Sequence, residues 1–156
     1  MPHVDHDPSH GSAPVTKPIP TVSTLPPPPD DRTGWPWTEG CDPLPLTRPD
    51  GTPWPRITIV TPSYNQGEFI EETIRSILLQ GYPDLEYMVM DGGSEDRTTE
   101  IIYKYRQWID RLEIKPDNGQ AHAINKSLLL STGEIFHNIN SDDILLKGAL
   151  EMVGLP

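Results

Sequence analysis

The feature that most constrains the fold of this chain is an alternation of two hydrophobic patterns that begins at residue 56. Short runs rich in apolar and β-branched residues predict four strands, at 56–65, 85–94, 112–116 and 134–140. Segments with apolar residues at helical spacing follow each run, at 67–81, 96–108, 119–133 and 146–153. Strands that alternate with helices in this way require right-handed crossovers. The pattern therefore predicts an α/β fold, a mainly parallel, Rossmann-like sheet with helices on both faces.

A polar loop follows each predicted strand. These loops are residues 61–65, 91–94, 116–120 and 140–143. In a parallel sheet, ligands bind outside the carboxyl ends of the strands, where the strand order reverses. We therefore expect all four loops on one edge of the sheet, with a binding site among them.

The last of these loops contains two adjacent carboxylates, Asp142 and Asp143. Carboxylate oxygens are hard ligands that suit Mg²⁺ or Mn²⁺, and such an ion usually completes its shell with substrate phosphates and water. By themselves, adjacent aspartates before a helix are more often turn formers and caps. The pair indicates a metal site only together with the polar motifs on the neighbouring strands.

Several other kinds of site and partner are excluded or disfavoured. The loop after the first strand reads "TPSYNQG" and has neither the G-x-G-x-x-G spacing of dinucleotide sites nor a G-x-x-x-x-G-K-[ST] loop. It is also not the loop rich in glycine and in Lys or Arg that nucleotidyltransferases usually have there. The net charge of −11 argues against nucleic acid as a partner, because phosphate backbones require stripes of Lys and Arg.

The first 55 residues differ in composition from the rest. They contain 15 of the 19 prolines and show no sustained apolar periodicity. This composition predicts a largely disordered or polyproline-type leader over residues 1–55, ahead of a folded domain over residues 56–156. The tryptophans in "GWPWTEG" and "DGTPWPR" leave two readings open: a strap that packs back on the domain, or a segment that binds a partner.

The chain offers few signs of metal binding or targeting near its beginning. His3, His6 and His10 lie in an acidic context that does not define a coordination geometry, so we do not assign them a metal. The single cysteine, Cys41, excludes an internal disulfide. No apolar run is long enough for a transmembrane segment, and the N-terminus lacks signal-peptide character. We expect a cytoplasmic protein, with peripheral association with a membrane left open.

Two long segments resemble a known family. "ITIVTPSYNQGEFIEETIRSILLQGYPDLEYMVMDGGSEDRTTEII" and "PDNGQAHAINKSLLLSTGEIFHNINSDD" are similar, in order and spacing, to the N-terminal half of family 2 glycosyltransferases of the GT-A fold. The likeness covers about residues 56–153. It implies a UDP-linked nucleotide-sugar donor, a divalent metal (Mn²⁺ or Mg²⁺), and inverting transfer to a glycan or lipid-linked acceptor in surface polysaccharide synthesis.

The resemblance also implies roles for individual residues. The nucleotide-sugar-binding residues would be Pro62, Tyr64, Asp91, Asp117, Gly119, Gln120 and Asp142. The metal would be held by Asp143, with Asp142 contacting either the metal or the ribose. Many family members have an aspartate where this chain has Asn140, so a strict D-x-D motif is absent.

The general base of an inverting transfer is not identified in these residues. Such a base deprotonates the acceptor hydroxyl during attack on the anomeric carbon. Glu134 and Glu151 do not match the base motif of the family, so we expect the base beyond residue 156 and a catalytically incomplete chain. The alternative is an inactive remnant or a nucleotide-binding module without transferase activity.

Overall fold

A computed structural model describes residues 17–156 of the chain. At its centre lies a four-stranded sheet in the order β3-β2-β1-β4, with every pair of neighbouring strands parallel. The strands are β1 (Ile57–Ser63), β2 (Leu85–Asp91), β3 (Arg111–Ile114) and β4 (Ile135–Asn138). The chain moves outward from β1 to β3 and then returns to the other side of β1. The strand order therefore reverses between β1 and β4, which is where a ligand site is expected.

Helices connect these strands as predicted. They are α1 (Ile70–Leu78), α2 (Thr98–Lys104), α3 (Gln120–Leu130) and α4 (Ala149–Gly154), and a short 3-10 turn spans Arg106–Trp108. The mainly parallel α/β fold inferred from the sequence is confirmed. The histidines His3, His6 and His10 lie outside the described residues.

The main core lies between the sheet and α1. Ile70, Ile74, Ile77 and Leu78, which are spaced i, i+4, i+7 and i+8 within the predicted helix 67–81 and therefore share one face, are all buried. They pack with residues of β1 and β2 in one apolar cluster. Burial of this face contributes roughly 1.5–3 kcal/mol for each large side chain and fixes the position of α1 on the sheet.

The third predicted helix is shorter than expected. It ends at Leu130, and Leu128, which lies in helix-like order with the buried Ala123, is 51% exposed. Gly133, also expected within the helix, lies instead against β1, where its N–H donates to the Thr58 hydroxyl at 2.9 Å. This close approach to a strand requires extended chain after Ser131 and ends the helix.

The last helix, α4, buries only part of its apolar surface. Leu150 is buried, whereas Met152 and Val153 are 78% and 50% exposed. Among residues 17–156, no helix is long and apolar enough to cross a bilayer.

Residues 17–55, which we call the strap, correct the expectation of a disordered leader. They have little regular secondary structure, yet Leu25, Trp37 and Trp54 are each 5% exposed. Leu25 and Trp54 belong to the same cluster as the core of the sheet. Of the two readings of the tryptophan segments, packing on the domain is the one observed, because indole rings supply the apolar area that the prolines do not.

Candidate nucleotide-binding site

The loops after all four strands meet at one edge of the sheet, as predicted from the parallel topology. They enclose a cavity of about 700 Å³. Its lining consists of Pro62, Ser63, Tyr64, Gln66, Gly92, Pro116, Asp117, Gly119, Gln120, Asn140, Ser141 and Asp142. Strand register explains the arrangement, since Ser63 at the end of β1 pairs with Asp91 at the end of β2.

The loop after β1 forms one wall of the cavity. Pro62 is buried, whereas Tyr64 is 59% exposed and offers its ring to the cavity. Asn65 has a left-handed backbone, with φ of 51°. Such a conformation suits asparagine better than most residues, and it turns the chain sharply between Tyr64 and the start of α1.

The start of α2 holds this wall in place. The Gln66 N–H donates to the Thr98 hydroxyl at 2.8 Å, and the Gly67 N–H donates to the Asp96 carboxylate at 3.0 Å. The hydrogen bond from the Thr98 hydroxyl, with further bonds from backbone N–H groups, lowers the pKa of Asp96. Asp96 also accepts the N–H of Thr98, the first residue of α2, at 2.9 Å, and so ties the start of this helix to the same wall.

Ser63 is a site residue that the sequence reasoning missed. The residue is 7% exposed and lines the cavity, and within residues 17–156 its hydroxyl has no hydrogen-bond partner. A buried hydroxyl without a partner costs free energy unless a ligand or water satisfies it. Its position in the loop 61–65 was the available signal, but nothing in that loop's sequence distinguishes this serine from an ordinary turn residue.

Asp91 lies beside the cavity rather than in its lining. Its side chain is 2% exposed and accepts the N–H groups of Gly93 and Ser94 at 3.0 and 2.7 Å, and the Ser94 hydroxyl at 2.6 Å. These bonds fold the turn after β2 and place Gly92 at the cavity. A Cβ at Gly92 would meet both Asp117 and Tyr64 at 3.4 Å, so glycine keeps this part of the cavity open. The contact of Asp91 with the nucleotide sugar stays a prediction.

The segment after β3 contributes the opposite wall. Asp117 accepts the Gly119 N–H at 2.8 Å, and Gly119 adopts φ of 98°, which favours glycine. This turn leads into α3, whose first residue, Gln120, donates from its amide to the Asn140 side-chain oxygen. All three residues expected from the "PDNGQ" segment therefore lie at the cavity.

The loop after β4 brings the acidic residues to the same place. Asp142 lines the cavity and is exposed. Asp143 is also exposed but is not among the lining residues, and its N–H donates to the Asn140 carbonyl at 3.1 Å. Two adjacent, exposed carboxylates suit a hard divalent cation that takes its remaining ligands from phosphate and water. Within the described part of the chain, no group of three or more His, Cys, Asp or Glu side chains is arranged to hold a metal ion.

Comparisons with known proteins identify what this arrangement is similar to. Residues 58–153, more than half of the chain, match the model of Glycosyl transferase family 2. TuaG of Bacillus subtilis (strain 168), named for teichuronic acid biosynthesis, is 35% identical over 104 residues, 64% of this chain and 41% of TuaG. Glycosyltransferase GlyG of Streptococcus pneumoniae is 31% identical over 98 residues, 61% of this chain and 33% of GlyG.

Two solved structures share the fold of the site. A mannosyltransferase from Pyrobaculum calidifontis, in complex with GDP-Man and Mn²⁺, aligns with a TM-score of 0.57 and 32% identity over 67% of this chain and 33% of its own. Staphylococcus aureus TarS 1–349, in complex with UDP-GlcNAc, aligns with a TM-score of 0.57 and 27% identity over 63% of this chain and 30% of its own. The chain thus spans less than half of the length of each of these relatives. Its family match, its parallel sheet and its cavity at the strand ends together place it in glycosyl transferase family 2, with the GT-A fold.

Proposed function

We propose that the cavity binds the nucleotide-sugar donor of a glycosyl transfer, with UDP as the nucleotide. A divalent cation would bind at the loop between β4 and α4, residues 139–148, which we call the acidic loop because it carries Asp142 and Asp143. The observation that carries this proposal is the meeting of all four strand-end loops around one polar cavity of about 700 Å³. That volume falls within the range of roughly 300–1,000 Å³ typical of small-ligand sites.

The wall after β1 suits the nucleoside. Tyr64 presents an exposed ring on which a base can stack, and Pro62 provides a rigid buried floor beside it. The free hydroxyl of Ser63 can donate to or accept from a polar atom of the ligand. Asp117, Gly119 and Gln120 face these groups from the opposite wall.

The acidic loop suits the diphosphate. Asp142 and Asp143 would hold Mn²⁺ or Mg²⁺, and the ion, when bound, supplies the charge that stabilises a departing diphosphate. Asn140 differs in role from a carboxylate. Because its side-chain oxygen accepts from Gln120, its amide N–H groups are left to donate to the ligand.

For the whole protein we propose inverting transfer of the sugar to a glycan or lipid-linked acceptor in surface polysaccharide synthesis. The name of TuaG and the UDP-GlcNAc complex of TarS support this acceptor and donor class. The general base that deprotonates the acceptor is proposed to lie outside residues 1–156, and the cytoplasmic location stays a prediction.

A titration of the chain with UDP, with and without Mn²⁺, tests donor binding. We expect Mn²⁺-dependent affinity by calorimetry and a change in the NMR signals of the Tyr64 ring. The variant Asp142→Asn should lose most of the metal dependence, whereas Asp50→Asn, in an exposed turn of the strap, should leave it unchanged. Absence of metal-dependent UDP binding by the native chain would overturn the proposal.

A second assay separates an enzyme from a binding module. Purified chain is incubated with UDP-sugars and Mn²⁺, and release of UDP is measured. Binding without release, here and in a chain extended by downstream sequence, would favour a nucleotide-binding module over a transferase.

A further inference from the structure

The strap lies outside the residues that match the family, yet it contacts the loop that carries Asp142 and Asp143. We propose that Trp35 of the strap is a positioning residue for this acidic loop and thereby strengthens metal-dependent nucleotide binding. The proposal rests on the proposed function, since it concerns the affinity of the same cavity.

The strap is anchored by a buried cation. Arg75 of α1 is fully buried, and its guanidinium donates to the carbonyls of Pro26, Pro36 and Trp37 at 2.8, 3.0 and 2.7 Å. Charge-assisted bonds of this kind are the stronger ones in proteins, and the planar guanidinium fixes their directions. The backbone on either side of Trp35 is therefore held in a defined position against α1.

From this position Trp35 reaches the acidic loop. Its indole N–H donates to the Leu145 carbonyl at 3.0 Å. Helix α1 also contacts this part of the loop, because the Thr73 hydroxyl donates to the Asp143 carbonyl at 2.7 Å and the Leu145 N–H donates to the Ser76 hydroxyl at 3.0 Å. Leu145 is thus held through its N–H by α1 and through its carbonyl by the strap.

These contacts bear directly on the acidic pair. Asp142 and Asp143 are exposed, and the two carboxylates repel each other unless a cation lies between them. Leu145 follows Asp143 by two residues. Holding Leu145 in place therefore reduces the number of loop conformations in which the carboxylates of Asp142 and Asp143 could move apart. Fewer arrangements mean a smaller entropy cost when metal and diphosphate bind.

The test compares two indole substitutions in the full chain. Trp35→Phe removes the indole N–H that contacts Leu145, and Trp37→Phe removes a comparable bond from the same strap to Glu72 on α1, at 3.1 Å. We expect Trp35→Phe to raise the Kd for UDP with Mn²⁺ by about threefold. The full value of one hydrogen bond, about tenfold, is the upper limit, because the bond is already present without ligand. Trp37→Phe should lower the midpoint of urea unfolding but leave the Kd unchanged.

A measurement on the unaltered chain keeps the test independent of the folding of either variant. By linkage, a ligand that is strengthened by the Trp35 contact must in turn strengthen that contact. Addition of UDP and Mn²⁺ should therefore slow hydrogen exchange of the Trp35 indole N–H. Exchange of the Trp54 indole N–H, which donates to the Pro45 carbonyl at 2.9 Å, should not change.

The outcomes separate this proposal from the proposed function. If the native chain fails to bind UDP with Mn²⁺, the proposed function itself is wrong. If the native chain binds but the Trp35 indole exchanges at the same rate with and without ligand, the positioning role is overturned. Equal Kd values for the native chain and a folded Trp35→Phe variant would overturn it too.

Discussion

Replacement of Arg75 by methionine should detach the strap from the domain. Methionine is unbranched and similar in length, so it can occupy much of the space of the arginine. It cannot donate to the carbonyls of Pro26, Pro36 and Trp37, or to the Tyr105 hydroxyl, all of which accept from the guanidinium in the native chain.

The size of the decrease in the free energy of unfolding depends on how many carbonyl acceptors lose the Arg75 donor and cannot reach water instead. Pro36 and Trp37 are buried, whereas Pro26 is half-buried and can turn to solvent. An unsatisfied buried acceptor costs about 1–3 kcal/mol, so two of them cost about 2–6 kcal/mol. Removal of the buried cation offsets part of this loss, because its desolvation no longer has to be overcome. We expect a decrease of about 3–4 kcal/mol in the free energy of unfolding, a large share of the total of about 5–15 kcal/mol typical of a domain.

Urea unfolding followed by tryptophan fluorescence measures this decrease, and tryptic cleavage after the exposed Arg32 reports on the strap alone. Arg75→Met should accelerate that cleavage under native conditions. Arg75→Lys is the matched control, since it keeps the charge but lacks the planar fork, and it should lose about half as much stability. A loss below about 1 kcal/mol in Arg75→Met, with unchanged cleavage after Arg32, would refute the anchoring role of Arg75.

Three further predictions concern the sheet and the acidic loop. Burial raises the pKa of Glu86, but hydrogen bonds from Thr132 and Thr58 and the charge of Arg56 outweigh it and lower that pKa. The ionised Glu86 carboxylate therefore stabilises the folded state fully above pH 4.5, the ordinary pKa of a glutamate. This stabilisation is lost as the pH falls through the lowered pKa of Glu86 in the folded state. Urea unfolding at several pH values should show that the free energy of unfolding falls more steeply with decreasing pH in the native chain than in Glu86→Gln. Equal slopes of the two curves would contradict a stabilising role of the Glu86 carboxylate. Gly133→Ala places a Cβ 2.7 Å from the backbone nitrogen of Thr58 and should cost at least about 2 kcal/mol in thermal unfolding, an expectation that an unchanged Tm would disprove. Asn140→Asp adds one charge at the proposed metal site and should tighten Mn²⁺ binding about fivefold by calorimetry, or about 1 kcal/mol, whereas weaker binding would argue that residue 140 does not face the metal.

Much of the fold could be predicted because its signals are local. The apolar spacing of Ile70, Ile74 and Ile77 defines the buried face of α1 from a segment of nine residues. The alternation of strands and helices determines a parallel sheet, and a parallel sheet brings its strand-end loops to one edge. These steps need no knowledge of distant contacts, so the place of the cavity followed from the order of the elements.

Some details of the site depended on packing that periodicity does not encode. Leu128 has the spacing of a buried helical residue, yet it is exposed because α3 covers the sheet with Ala123 and Ser127. Ser63 reads as an ordinary turn residue. Its unsatisfied hydroxyl within the described residues becomes visible only when the neighbouring loops surround it.

The strap marks the boundary between what sequence and tertiary structure each decided. Its proline-rich composition lacks the periodicity that announces a helix or a strand, so the sequence by itself predicted disorder. Its order comes from Arg75, whose carbonyl partners lie 38 to 49 residues away in the chain. The sequence determined the sheet and the edge at which a ligand can bind, because hydrophobic periodicity acts within each segment. Only the tertiary structure decided that residues 17–55 belong to the domain, because a buried cation and two indole rings can order a chain without periodicity once the core is formed around them.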